Sequence, residues 1–281
     1  MRRPRRAVLL NVLLFLIFCG IRPSSAAERI VSLSPAVTEL VCQLGQGKLL
    51  VGRSEVCNYP AEVRKLPAAG RYADPNLEKL VQLRPTLVLS NDLRAPRVGG
   101  VLKKIGARLI VKQCRTVNEY REWVELLGRE LACPAEAAAE LRRFDREIAD
   151  LRRMKPLNCS LLWVVSDSPL LTGGRHSLLS EVSQLAGMRN AGDICDLAYY
   201  RMSREALLKM PPDVIIWANS GASPAPTDNF WGELEAVKKR RILRYLHEDT
   251  VMRPGPRLPA GIRKLRREAE TLMRGASDAQ R

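Results

Sequence analysis

The sequence predicts an α/β protein of two lobes, each with a central, mostly parallel sheet flanked by helices, joined by one long rigid α-helix. Three observations predict it. A pattern occurs twice: Asn76 opens N-L-E-K-L-V-Q-L-R-P-T-L-V-L-S and Ser203 opens S-R-E-A-L-L-K-M-P-P-D-V-I-I-W. In register, Glu78 meets Glu205, Leu80 meets Leu207 and Pro85 meets Pro212, with a short apolar run after each proline. Short apolar strands alternate with helical periodicity through both halves, which argues for parallel, helix-covered sheets. Between the two copies, residues 134–154 are rich in Ala, Glu, Leu and Arg and lack glycine and internal proline. Leu141, Phe144, Ile148 and Leu151 recur there at helical steps. At about 1.5 Å per residue this segment makes a rod of roughly 30 Å, enough to separate two lobes. The expected units are a leader at 1–27, an N-terminal lobe at 28–132, the linking helix at 133–155 and a C-terminal lobe at 156–281.

The leader is read from three zones. Arg2, Arg3, Arg5 and Arg6 are basic, residues 8–17 are almost wholly apolar, and Ser24-Ser25-Ala26-Ala27 are small. This is the pattern of a secretory signal peptide cleaved after Ala26 or Ala27. It predicts a periplasmic or otherwise secreted protein. A lipid anchor on Cys19 is the alternative, with bulky Phe18 standing where a small residue belongs. No later stretch is long and apolar enough for a transmembrane helix.

Within the first lobe, residues 29–35 read as a strand running into a helix N-terminus, with Pro35 suited to the first helical position. Residues 36–44 have helical spacing, and Gly45-Gln46-Gly47 stops them. Strands follow at 49–51, 86–90 and 107–111, with helices at 77–83, 98–105 and 118–131. The second lobe repeats this grammar: a strand at 160–165, a helix at 178–186, a helix at 203–210 capped by Ser203, and a strand at 214–217. A last strand is expected at 250–252 and a terminal helix at 257–274.

The formal net charge is +16, from 46 basic and 30 acidic residues. Such a balance serves acidic ligands, an anionic membrane surface, or solubility alone. No basic block interleaves with aromatics, so nucleic acid is not expected as a partner. Beyond the leader lie Cys42, Cys57, Cys114, Cys133, Cys159 and Cys195. An even count in an exported chain permits disulfides. Cys42–Cys57 is the favoured pair, because one short turn joins their elements; the other reading is buried, reduced thiols. No C-x-x-C occurs, which argues against structural zinc, and no cofactor is expected.

Several segments together resemble a known family. They are Arg29-Ile30-Val31-Ser32-Leu33-Ser34-Pro35, Val51-Gly52 followed by Cys57-Asn58-Tyr59-Pro60, and Asn76-Leu77-Glu78. Pro169-Leu170-Leu171-Thr172-Gly173-Gly174, Ser203-Arg204-Glu205 and Pro254-Gly255-Pro256-Arg257-Leu258 follow in order. In that order and spacing the chain resembles the substrate-binding proteins of ABC importers for cobalamin, haem or iron–siderophore chelates, the cobalamin-binding branch most of all. The resemblance implies two lobes on one rigid helix. It also implies a monomer that captures a metal chelate and hands it to a permease coupled to an ATPase. One glutamate per lobe docks on arginines of the permease in this family, and the matching positions are Glu78 and Glu205.

The ligand of such a protein lies between the lobes, on loops that follow the strands. The loops that fit carry Tyr59, Arg71, Tyr72 and Asn91 in the first lobe, and Arg175, His176, Tyr199, Tyr200 and Trp231 in the second. Aromatic rings suit the flat face of a corrin or porphyrin, and arginines suit carboxylate or phosphate. The cobalamin branch has tryptophans at the positions matching Tyr72 and Asn91, so Asn91 departs from it. His176, with Tyr59 or Tyr199, is a candidate haem-iron ligand. Only His176 and His247 occur, too few for a bare zinc or manganese carrier. A secreted α/β enzyme or a sensor domain of the same fold is the competing class. The sequence holds no G-x-S-x-G or H-E-x-x-H to support the enzyme.

Overall fold

The computed structural model describes residues 28–218, 229–245 and 250–278. The leader expected at 1–27 and His247 lie outside the described residues. Strand β1 (Ile30–Ser32), helix α1 (Pro35–Gln43) and strand β2 (Leu50–Arg53) open the first lobe. A hairpin of β3 (Gly70–Arg71) and β4 (Asp74–Pro75) leads into α2 (Leu77–Gln82), β5 (Leu87–Ser90), α3 (Arg97–Lys104) and β6 (Arg108–Val111). Its sheet is wholly parallel in the order β2-β1-β5-β6.

Side-chain alternation explains why this sheet is covered on both faces. Ile30, Leu87 and Leu89 point into one apolar cluster, and Val31 and Val88 into another on the opposite face. Successive strand residues face opposite sides, so two helical layers bury all of them.

Two helices then carry the chain across. α4 (Val117–Glu130) turns back through Ala132, at φ 51°, into α5 (Pro134–Arg153). A Cβ on Gly128 would sit 2.5 Å from that of Ala137, so glycine is what lets α4 and α5 lie this close. α5 is the long helix expected from the sequence, with Pro134 opening it and Ala137, Glu140, Phe144, Ile148 and Leu151 buried.

The second lobe contains β7 (Ser160–Val164), β8 (Ser166–Asp167), β9 (Leu170–Gly173), α6 (Leu178–Leu185), β10 (Arg189–Asn190) and β11 (Tyr199–Arg201). It continues with α7 (Arg204–Lys209), β12 (Val214–Trp217), α8 (Asn229–Gly232), α9 (Glu235–Lys238), β13 (Ile242–Arg244) and α10 (Leu258–Asp278). Its main sheet is also parallel, in the order β10-β7-β12-β13. Numbered within each lobe, both sheets run second, first, third, fourth, and α2 precedes β5 as α7 precedes β12. The repeated pattern in the sequence is therefore the same turn of the same topology. Leu161, Trp163, Val214 and Ile216 join the cluster that already holds Ile30, Leu87, Phe144 and Leu151, so one apolar core runs from lobe to lobe through α5.

Two expectations are corrected. Residues 250–252 form a single 3-10 turn rather than a strand. Thr250 packs so closely on α10 that a Cβ on Gly261 would meet its Oγ1 at 2.1 Å. The fourth strand of the sheet is β13 instead, paired to β12 from Ile215↔Ile242 to Trp217↔Arg244. The expected Cys42–Cys57 bridge is not formed, and all six described cysteines are free thiols. Cys57 Sγ lies 3.1 Å from the hydroxyls of both Thr38 and Ser54. Cys42 Sγ turns instead to the bend at Gly47. Burial pushes both thiols up, Cys42 to about 11.

Candidate functional site

The carboxyl ends of the strands of the two lobes converge on a cleft of about 370 Å³. In a parallel sheet those ends are where loops diverge and leave a crevice. Pro35 and Ala36 reach the cleft after β1, Val56 after β2, Asn91 after β5, and Cys114 with Arg115 after β6. The opposing wall is His176, Ser177 and Leu178 at the start of α6, Ala198 and Tyr199 entering β11, and Met252, Arg253 and Pro254 ahead of α10. The Cys114 thiol donates to the Pro254 carbonyl at 3.4 Å, joining the walls at that point. A second link is the Val117 amide donating to Glu181 Oε2 at 2.9 Å.

Tyr72 is delivered by the β3–β4 hairpin, whose loop is Tyr72-Ala73, with Ala73 at φ 58°. Its hydroxyl donates to Asn91 Oδ1 at 3.0 Å, and the Asn91 backbone N–H donates to Ser34 Oγ at 2.8 Å. Burial, followed by the charge of Asp92, raises the Tyr72 phenol; Arg115 and Arg94 pull it down. Across the cleft, Tyr199 is 46% exposed. The walls around it still raise its phenol, with Arg115 again opposing. Both tyrosines are neutral donors at pH 7, and the Arg115 charge reaches both walls.

The hairpin depends on Gly70. Its φ is 122°, and a Cβ there would lie 2.5 Å from the Asn76 amide nitrogen. Gly70→Ala is expected to cost about 2–3 kcal/mol of stability by backbone strain. It should also loosen ligand binding by displacing Tyr72, both read by thermal melts with and without ligand.

Of the residues nominated from the sequence, the structure brings Tyr72, Asn91, His176 and Tyr199 together and puts the others elsewhere. Tyr59 lies in a separate hollow, under the Arg257 guanidinium at 3.7 Å from its ring. Arg71 lines an outer hollow with Glu78 and Arg97. Arg175 pairs with Asp196 at 2.8 Å and donates to the Asp193 carbonyl at 2.8 Å. Tyr200 neighbours Tyr199 on a strand and so faces the other way, into the second lobe's core, where burial raises its phenol to about 12. Trp231 is only 3% exposed and packs edge-on against Trp217 at 5.3 Å. It is a core residue, since the apolar face of β12 needs a large partner there. Arg115, Arg253, Cys114 and Met252 line the cleft although the sequence reading passed over them. Arg115 lies in the loop that follows β6, so the rule of strand carboxyl ends was the signal that finds it.

Comparison with known proteins places this architecture. A family model described as Periplasmic binding protein matches residues 30–248. The chain belongs to the periplasmic binding protein family. A vitamin B12-binding protein of Vibrio cholerae is 28% identical over 235 residues, covering 82% of this chain and 85% of the relative. An uncharacterized ABC transporter substrate-binding lipoprotein of Bacillus subtilis is 27% identical over 249 residues, covering 85% of this chain and 78% of that one. Among solved structures, a periplasmic haem-binding protein, BhuT, in complex with two haems, superposes with a TM-score of 0.77 at 25% identity. That match covers 87% of this chain and 98% of BhuT. In a periplasmic binding protein the inter-lobe cleft is the natural candidate site. Among the described residues no group of three or more His, Cys, Asp and Glu side chains is placed to hold a metal ion, and no helix is long and apolar enough to cross a membrane.

Proposed function

We propose that this chain is the substrate-binding component of an ABC importer. It is exported on its leader, holds a metal chelate of the cobalamin, haem or siderophore kind between its lobes, and releases it unchanged to a permease. The observation that carries this reading is the cleft itself, with Tyr72 and Tyr199 presented from opposite lobes beside apolar Pro35, Ala36, Val56 and Leu178. Rings and aliphatic walls of this sort suit a flat macrocycle, and a few placed polar groups orient it. The names of the B12-binding and haem-binding relatives support the same chemistry.

Titration of the mature protein by calorimetry with cyanocobalamin, haem and ferric siderophores is expected to give saturable binding of one class at micromolar affinity or better. Tyr72→Ala and Tyr199→Ala should each weaken that binding about tenfold, from lost ring contact. No heat with any of the three would sink the proposal, and breakdown of a ligand would favour an enzyme. The haem reading has its own supporting observation: His176 and Tyr199 line the same wall of the cleft. A shift in the haem absorption band that His176→Ala abolishes would select it.

A further inference from the structure

Resting on that reading, we infer that the bound molecule carries an anionic group, a carboxylate or a phosphate, and that Arg115 is the residue that selects it. Three observations place the charge. The described lining of the cleft contains Arg115, Arg253 and His176 but no Asp or Glu. A cleft of one sign, walled by protein, concentrates ligands of the other sign. Arg115 is exposed and its guanidinium makes no hydrogen bond or ion pair among the described residues. Within the cleft it differs from Arg253, whose guanidinium donates to Asn58 Oδ1 at 3.5 Å.

The local sequence explains why Arg115 stays open. Glu119, one turn along at the start of α4, is the carboxylate nearest in sequence. Its Oε2 accepts from the Arg115 backbone amide at 2.5 Å, while Thr116 Oγ1 accepts from the Glu119 amide at 3.1 Å. The two side chains cap the helix reciprocally, and Glu119 is spent on that task. The guanidinium is left facing a cleft whose two tyrosines, one on each wall, both sense its charge. A guanidinium is always charged and forks onto carboxylate or phosphate oxygens, so an open one among phenols is a seat for such a group.

The test is affinity for paired probes that differ in the anion. Haem is compared with haem dimethyl ester, and cyanocobalamin with dicyanocobinamide, which lacks the phosphate and the nucleotide base. Wild-type protein is expected to bind the anionic member of its preferred pair at least about tenfold tighter, the scale of one hydrogen-bonded charge. Arg115→Gln should remove that preference while binding the neutral member within about twofold of wild type and melting at the same temperature. Loss confined to the haem pair assigns a carboxylate; loss confined to the cobalamin pair assigns a phosphate. Equal affinity of wild type and Arg115→Gln for the anionic probe overturns the inference and leaves the transport reading standing. Failure of wild type to bind any of these probes overturns the inference, and failure to bind ferric siderophores as well overturns the transport reading.

Discussion

Glu140→Ala is expected to lower the stability of the folded chain by about 3 kcal/mol, within the range found when one partner of a buried ion pair is removed. Glu140 is 3% exposed, on the buried face of α5. Its Oε1 accepts from the Tyr120 hydroxyl at 2.6 Å and from Arg143 at 2.6 Å, and its Oε2 accepts from Gln43 at 3.0 Å and from Arg143 at 2.9 Å. Arg143 also donates to Glu147 at 2.5 Å and to the Pro256 carbonyl at 2.9 Å, and Glu147 accepts from Arg263 at 2.8 Å. One carboxylate therefore ties α1, α4 and α5 to the segment entering α10. Removing it strands the Tyr120 hydroxyl, whose phenol is held well above its ordinary range first by burial and then by the Glu140 charge. Arg143 is partly exposed and keeps Glu147, which limits the loss on that side. Tyr120→Phe removes only the hydroxyl and should cost about 1 kcal/mol. Glu140→Gln keeps an acceptor for Tyr120 and should fall between. Urea midpoints with an unchanged slope measure all three. An unmoved midpoint for Glu140→Ala would mean that the network contributes nothing to the fold.

The features that the sequence disclosed are local ones. Asn76 and Ser203 each accept from the amide three residues on, and each helix they cap runs into a proline and a buried strand. Caps, prolines and apolar runs are written within a few residues, so the repeat and the order of elements could be read. The long helix declared itself in the same way, by period. What stayed hidden depends on the assembled sheet. β13 follows the basic run Lys238-Lys239-Arg240-Arg241 and is defined by its pairing with β12 more than by its own three residues. Adjacent residues such as Tyr199 and Tyr200 look equivalent in a string, yet strand alternation sends one to the cleft and the other to the core. Trp231 carries the composition of a binding loop and the burial of a core residue, and only its packing on Trp217 separates the two. Arg115 was overlooked because a lone arginine before a helix has no motif. Its meaning comes from the cleft that it lines together with Tyr72 and Tyr199.

The largest functional effect is expected from reversing two charges outside the cleft. The variant carrying Glu78→Lys and Glu205→Lys should bind ligand within about twofold of wild type and lose transport and permease ATPase stimulation by tenfold or more, since complementary charges govern docking encounter and orientation. Glu78 is exposed in the first turn of α2, and Glu205 is exposed in the first turn of α7. Glu78 borders the hollow lined by Arg71 and Asp74 of the hairpin that delivers Tyr72, and Glu205 follows β11, whose Tyr199 lines the cleft. Their local partnerships are weak enough to give up. Glu205 meets Lys209 at 2.7 Å with both side chains more than 70% exposed, and such exposed pairs contribute well under about 1 kcal/mol. The helix-start preference for acid adds a few tenths of a kcal/mol, so the double variant should still fold. A carboxylate retained only for its helix would show its loss in the melting temperature and nowhere else. One that meets cationic residues of a permease shows it in transport, with each single reversal intermediate and the defect deepening at low salt, where repulsion is least screened. Full transport by the double variant at unchanged ligand affinity would remove the docking role from both positions.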